Sequence, residues 1–142
     1  MTDLHGYYIE DLSEGMSASI ERTVTEADVN TFAEVTGDDN PVHVNAEYAA
    51  TTMFKQRIAH GMLSAGYISA VLGTKMPGPG AIYVDQQLKF KAPVMIGDTV
   101  TTTATILEIN ARRRRVILKT VCSVADKVVA EGQATLMVDS KG

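Results

Sequence analysis

The chain has no tryptophan and one cysteine, Cys122, so no disulfide can close within it and a zinc site built from several cysteines is excluded. Cys122 sits in an apolar, strand-like run and reads as a small core residue. Basic charge is also short: 13 lysines and arginines stand against 17 aspartates and glutamates, a net charge of −4. Without a basic footprint, and without aromatic and basic residues interleaved, no nucleic-acid partner is expected. No apolar run approaches the roughly 20 residues that span a bilayer, so no membrane partner is expected either. The opening MTDLHGYYIED has neither the basic region nor the apolar region of an export signal, which makes a cytoplasmic location the expectation.

What is present is the balance of an ordinary globular protein. At 142 residues with 45% hydrophobic content, the chain is long enough to bury a core and short enough to read as one domain over 1–142. No repeat or low-complexity stretch divides it, but the pattern changes near the middle from helical to strand-like. ASIERTV reads as an opening strand. In TEADVNTFAEVTG, Thr25 precedes Asp28 by the spacing of a capping box, Val29, Phe32 and Ala33 share a helical face, and Gly37 is placed to end the helix in a left-handed turn. Asn45 can cap a second short helix, AEYAATTMF, after which KQRIA brings the chain to His60 and Gly61.

GMLSAGYISAVLG is apolar nearly all round and carries Ala65, Gly66, Ser69, Ala70 and Gly73 at helical spacing. That predicts a buried helix with other backbone close against it. Four strand-like stretches follow the turn-rich TKMPGPG: AIYVDQQLKF, DTVTTTATILEI, RRVILKTVCSV and VVAEGQATLMV. The last three are linked by short turns near Asn110–Arg112 and Asp126–Lys127, which favour antiparallel hairpins. The fold class expected is α+β, an antiparallel sheet wrapped about one buried helix.

The chemistry concentrates in TGDDNPVHVN, residues 36–45. A positioned carboxylate and imidazole, Asp38 and His43, can hold one water, take a proton from it and deliver one elsewhere. They converge only on a rigid loop, and Pro41 restricts both itself and Asn40, whose side chain can brace the turn. Two other readings stay open on these residues: a solvated surface turn, or a metal bound by Asp38, Asp39 and His43. Against the metal, no further histidine or carboxylate falls at a recognisable ligand spacing. In AHGML, Gly61 opens the buried helix, so its amide is an unpaired donor at the positive end of the dipole and can polarise a carbonyl oxygen. His60 reads as a structural hydrogen-bonding group rather than a ligand contact.

TGDDNPVHVN followed by HGM resembles the signature of the MaoC-like dehydratases, and most closely of the R-specific enoyl-CoA hydratases that feed polyhydroxyalkanoate synthesis. The likeness runs from about Met16 to Val138, through YAATTMF, PGPGAIYVDQQLKFKAPVMIGDTV and the closing strands. It implies the hot-dog fold, usually paired into a homodimer by continuing the sheet. It implies that Asp38 and His43 are the catalytic pair, that Gly61 donates to the thioester carbonyl, and that Asn40 belongs to the substrate-binding set. The family commonly has aspartate where this chain has Asn45; at a helix cap asparagine serves equally. Ser69 and Leu72, two to three turns beyond Gly61, are then expected along the acyl chain. The substrate implied is an acyl-CoA thioester, with no cofactor and no metal. Rival readings are an acyl-CoA thioesterase on the same fold, and a non-catalytic acyl-CoA-binding subunit, which usually lacks the acid or the base. Arg112–Arg115 is either a solvated hairpin turn or a contact to coenzyme A phosphates.

Overall fold

The computed structural model describes residues 4–142. Strand β1 (Ser17–Thr23) leads into helix α1 (Glu26–Thr36), the one-turn α2 (Pro41–Val44), the short α3 (Ala46–Ala50) and the long α4 (Gly61–Thr74). Four strands follow, β2 (Ile82–Phe90), β3 (Thr99–Asn110), β4 (Arg115–Val124) and β5 (Lys127–Met137). All pair antiparallel in one five-stranded sheet of order β1-β3-β4-β5-β2. The sheet curls about α4, as the α+β hot-dog expectation requires.

Local sequence explains the elements that carry the site. The Thr25 side chain accepts from the Asp28 amide while Asp28 accepts from the Thr25 amide, the reciprocal cap expected for α1. Gly37 ends α1 at φ +80°, where a side chain would be strained. Between β4 and β5, Ala125 and Asp126 both take positive φ, 48° and 66°, the twist a tight hairpin demands. Alternate residues of the closing strands point inward, so Val100, Ala104, Ile106, Val116, Leu118, Cys122, Ala134 and Leu136 join one core with Ile68, Val71 and Leu72 of α4. Cys122 is fully buried, and burial pushes its thiol above the ordinary range, as suits the core residue expected.

Helix α4 departs from its expectation in one respect. Its inner face, Ser64, Tyr67, Ile68, Val71 and Leu72, is buried, but Met62, Gly66, Ser69 and Gly73 lie exposed on the other. A Cβ added at Gly66 or Gly73 would meet nothing. Five strands cover one side of the helix, and among the described residues no second layer reaches the other. The edge strand β2 beside that open face also presents Ile82, Tyr83, Val84 and Phe90 to solvent.

Candidate active site

The 38–43 segment is held from both ends. At its start the Thr36 hydroxyl donates to the Phe32 carbonyl (2.7 Å) and accepts from the Asp38 amide (3.1 Å), so the last turn of α1 sets where Asp38 begins. Asn40 caps α2: its Oδ1 accepts from the Val42 amide at 3.1 Å, with Pro41 in the first helical position. The segment is therefore a helical turn rather than an open loop, with the Asn40 oxygen committed to the cap. Asp38 and Asp39 part company here. Asp38 faces a hollow of about 670 Å³ shared with Phe32, Met62, Gly66, Ser69 and Val84, whereas Asp39 lines a separate one with Asn30, Glu34 and Val44.

His43 lines a second hollow of about 550 Å³ together with His60, Gly61, Met62, Phe90 and Lys91. Its Nδ1 donates to the Ile58 carbonyl at 2.8 Å. A carbonyl oxygen only accepts, so Nδ1 carries a proton, and in the neutral ring the lone pair a general base needs is on Nε2. Met62 lines both hollows, and one side-chain atom each of Asp38, His43 and His60 lies within 4.8 Å of the others. One water making two hydrogen bonds bridges about that distance.

Gly61 begins α4, and its amide has no acceptor among the described residues; His60, the N-cap, provides no side-chain cap. The donor and the positive end of a 14-residue helix are thus left open. The reason for glycine is more specific than free access. A Cβ at Gly61 would lie 2.9 Å from the ring of Phe90, an aromatic on the sheet edge that covers the helix start.

Three features escaped the sequence reading. His60 is 2% exposed, stacks on His43 at 3.9 Å between ring centroids, and donates from Nε2 to the Asp38 carbonyl at 2.8 Å. This agrees with the structural role expected of it, and the fold brings it beside Asp38 and His43 although no ligand spacing in the sequence joins the three. Asp38, His43 and His60 are therefore the groups that could meet a metal. Two of the four imidazole nitrogens are already bonded to carbonyls, and the stacked rings, 29° apart, hold the remaining lone pairs in near-parallel planes, a poor match to ligands converging on one ion. Arg57, whose side chain is 10% exposed, donates to the His43 carbonyl, Glu26 and Asn30. The only available signal was a lone arginine in the apolar stretch RIAHG, a cation that needs partners when buried. Phe90 gave no local signal at all.

Other expected site residues are spread out. Ser69 is exposed on the hollow that Asp38 faces, while Leu72 is 1% exposed in the core and lines neither hollow. The arginine turn lies at the far end of the sheet: Arg115 pairs with Met137 and Met137 with Ile82, whereas Phe90, over Gly61, is at the opposite end of β2.

A sheet wrapped on one helix, with a carboxylate and an imidazole beside the start of that helix, defines a hot-dog protein with groups suited to acid–base chemistry there. The chain belongs to the MaoC like domain family, whose profile matches residues 10–129. It is 59% identical over 140 residues to a Rhodospirillum rubrum protein named (R)-specific enoyl-CoA hydratase, covering 99% of this chain and 97% of that one. It is 47% identical over 141 residues to the 3-hydroxybutyryl-CoA dehydratase of Methylorubrum extorquens, covering 99% and 90%. Among solved structures, unliganded R-hydratase PhaJ1 from Pseudomonas aeruginosa superimposes with a TM-score of 0.91 at 42% identity, over 96% of this chain and 88% of that one.

Proposed function

We propose that this protein is an R-specific enoyl-CoA hydratase, which adds water across a trans-2-enoyl-CoA to give the (R)-3-hydroxyacyl-CoA and catalyses the reverse dehydration. The observation that carries the reading is the meeting of Asp38 and a base-form His43 within one water's reach, beside the unpaired Gly61 amide. The thioester carbonyl oxygen accepts from Gly61 N–H, which draws electron density from C3 and stabilises the enolate. Asp38 and His43 hold the water; its proton leaves as the oxygen bonds C3, and a proton returns to C2. Both arms of this chemistry are proton transfers, so it requires no metal and no cofactor beyond the coenzyme A of the substrate, and chelator should leave activity intact. Asn40 and Ser69 are residues we assign to the substrate, and Leu72, 1% exposed behind them in the core, to the inner end of the acyl chain. We assign the protein to the cytoplasm, in keeping with the lack, among the described residues, of any helix long and apolar enough to cross a membrane.

The assembly we propose is a homodimer that continues the sheet across β2. Exposed Ile82, Tyr83 and Val84 on that edge and the open small-residue face of α4 support it, and sedimentation would measure it.

The test is loss of enoyl absorbance with purified protein and crotonyl-CoA or a longer enoyl-CoA. Asp38→Asn and His43→Gln keep the shapes and should each lower kcat on the order of 10² to 10⁴. The double variant should lose far less than the product, because both act on one water. Asp39→Asn, whose carboxylate faces another hollow, should retain most activity. Thioester cleavage without hydration would favour the thioesterase reading. Near-wild-type turnover in folded Asp38→Asn would overturn the mechanism, and oxidation of the product by an S-specific dehydrogenase would overturn the stereochemistry.

A further inference from the structure

We infer that His60 is a positioning residue whose function is to hold the Asp38 backbone at a fixed place relative to His43 and Gly61. The inference rests on the reading of Asp38 and His43 given above. Four consecutive residues form a splint along the 38–43 segment. Arg57 Nε donates to the His43 carbonyl, Ile58 donates its amide to the Val42 carbonyl and accepts from His43 Nδ1, and His60 Nε2 donates to the Asp38 carbonyl. Ala59, between them, donates to the Val94 carbonyl, which ties the splint to the chain entering β3. His60 is also the residue immediately before Gly61. The group that grips the acid is thus covalently joined to the group proposed to hold the carbonyl.

Histidine is a costly choice for this slot. The ring is 2% exposed, packed against His43 and, at 4.7 Å, against Phe32, and its Nδ1 is buried with no hydrogen-bond partner among the described residues. A buried polar atom left unpaired destabilises a fold, and an orphan of this kind calls for a reason. Packing does not supply one, since phenylalanine, only slightly larger, would stack on the same neighbours without the orphan. What phenylalanine lacks is the Nε2–H on the Asp38 carbonyl. The bond and the orphan come together: a carbonyl acceptor at Nε2 fixes the proton there and leaves Nδ1 bare. The two stacked histidines therefore carry opposite tautomers, Nδ1–H in His43 and Nε2–H in His60.

The experiment pairs His60→Phe, which keeps the stack and removes the donor, with His60→Gln, which keeps an N–H donor at about the same reach. His60→Phe should melt close to the wild-type temperature, the orphan it removes offsetting the Asp38 carbonyl bond it breaks, while kcat falls by about 10- to 100-fold, the loss expected when a catalytic group shifts by about 1 Å. KM should change little, and the pH limits of kcat should stay where they are. His60→Gln should recover most of the lost turnover. Wild-type kcat in His60→Phe would make the residue a spacer and overturn the inference. So would a vanished pH limb, which would make His60 itself an acid or base, or a kcat loss that follows a loss of melting temperature and is not recovered by glutamine. Long-range proton–nitrogen spectra of the wild-type protein, with His43→Gln and His60→Phe for assignment, read the tautomers without any substrate. If wild type fails to hydrate enoyl-CoA but His60 shows Nε2–H and His43 Nδ1–H, the proposed reaction is wrong and the positioning stands. Nδ1–H in His60 overturns the positioning whatever the activity.

Discussion

Replacing Arg57 by alanine should both destabilise the protein and slow it. The guanidinium uses three N–H groups on three partners: His43 O at 2.5 Å, Glu26 Oε1 at 2.9 Å and Asn30 Oδ1 at 2.6 Å. They do not weigh equally. The Glu26 side chain is 70% exposed, so that ion pair is screened and contributes at most about 1 kcal/mol. Asn30 is exposed and regains water when the arginine goes. The His43 carbonyl lies in a partly buried position and loses a charge-assisted bond, which typically contributes about 1.5 to 3 kcal/mol. Adding the lost packing of the arginine stem, Arg57→Ala should cost about 2 to 4 kcal/mol. At about 3 to 4 °C per kcal/mol for a chain of this size, Tm should fall by about 6 to 16 °C.

Since the broken bond is to His43 itself, kcat should drop as well, by roughly 10- to 100-fold, measured at a temperature where the variant is folded. Arg57→Lys presents a point charge in place of a fork and should recover only part of either loss. Glu26→Gln should cost less than about 1 kcal/mol. The measurements are thermal melts at fixed protein concentration and steady-state hydration of crotonyl-CoA. A Tm within about 2 °C of wild type in Arg57→Ala, or a Glu26→Gln variant as damaged as Arg57→Ala, would refute the ranking of the three bonds.

Gly132→Ala would place a Cβ 1.8 Å from the Gln87 carbonyl oxygen, in the adjacent strand, so β2 must shift; a cost of about 2 to 3 kcal/mol is expected, and an unchanged melt would show that the strand yields freely. Leu72→Ala removes a side chain that is 1% exposed and should lower stability by about 2 to 5 kcal/mol. If the acyl chain passes Leu72 as we propose, it should also raise the eight-carbon to four-carbon ratio of kcat/KM, and an unchanged ratio would place the acyl pocket elsewhere. Arg112→Gln with Arg113→Gln should leave KM at low salt unchanged, because the register sets that turn at the far end of the sheet from Gly61. A raised KM with weaker salt dependence would show that the turn meets coenzyme A phosphates.

Much of the architecture was legible from contiguous residues because the forces involved are local. Thr25 and Asp28 cap α1 from within one turn, Gly37 ends it by its own backbone freedom, and Asn45 caps α3 through the Tyr48 amide. The alternation in the closing strands identifies their inner faces, and short connections make them hairpins. Asp38, His43 and Gly61 were nameable for a related reason: a carboxylate, an imidazole and a helix-opening glycine carry their chemistry in their residue type. Their convergence is implied in the sequence by the family resemblance.

Tertiary structure alone decided what surrounds them. Nothing in the residues near His43 announces that His60 will stack on it, that Arg57 will bond its carbonyl, or that Phe90 will cover Gly61, since each partner comes from another part of the chain. Hydropathy placed α4 in the interior all round, but burial depends on how many layers a chain can supply. One five-stranded sheet covers one face of the helix and leaves Met62, Gly66, Ser69 and Gly73 open, and it turns Leu72 inward while Ser69 faces out. A residue's apolar character is intrinsic to it; the side of the helix that meets the sheet is settled by packing between segments far apart in sequence.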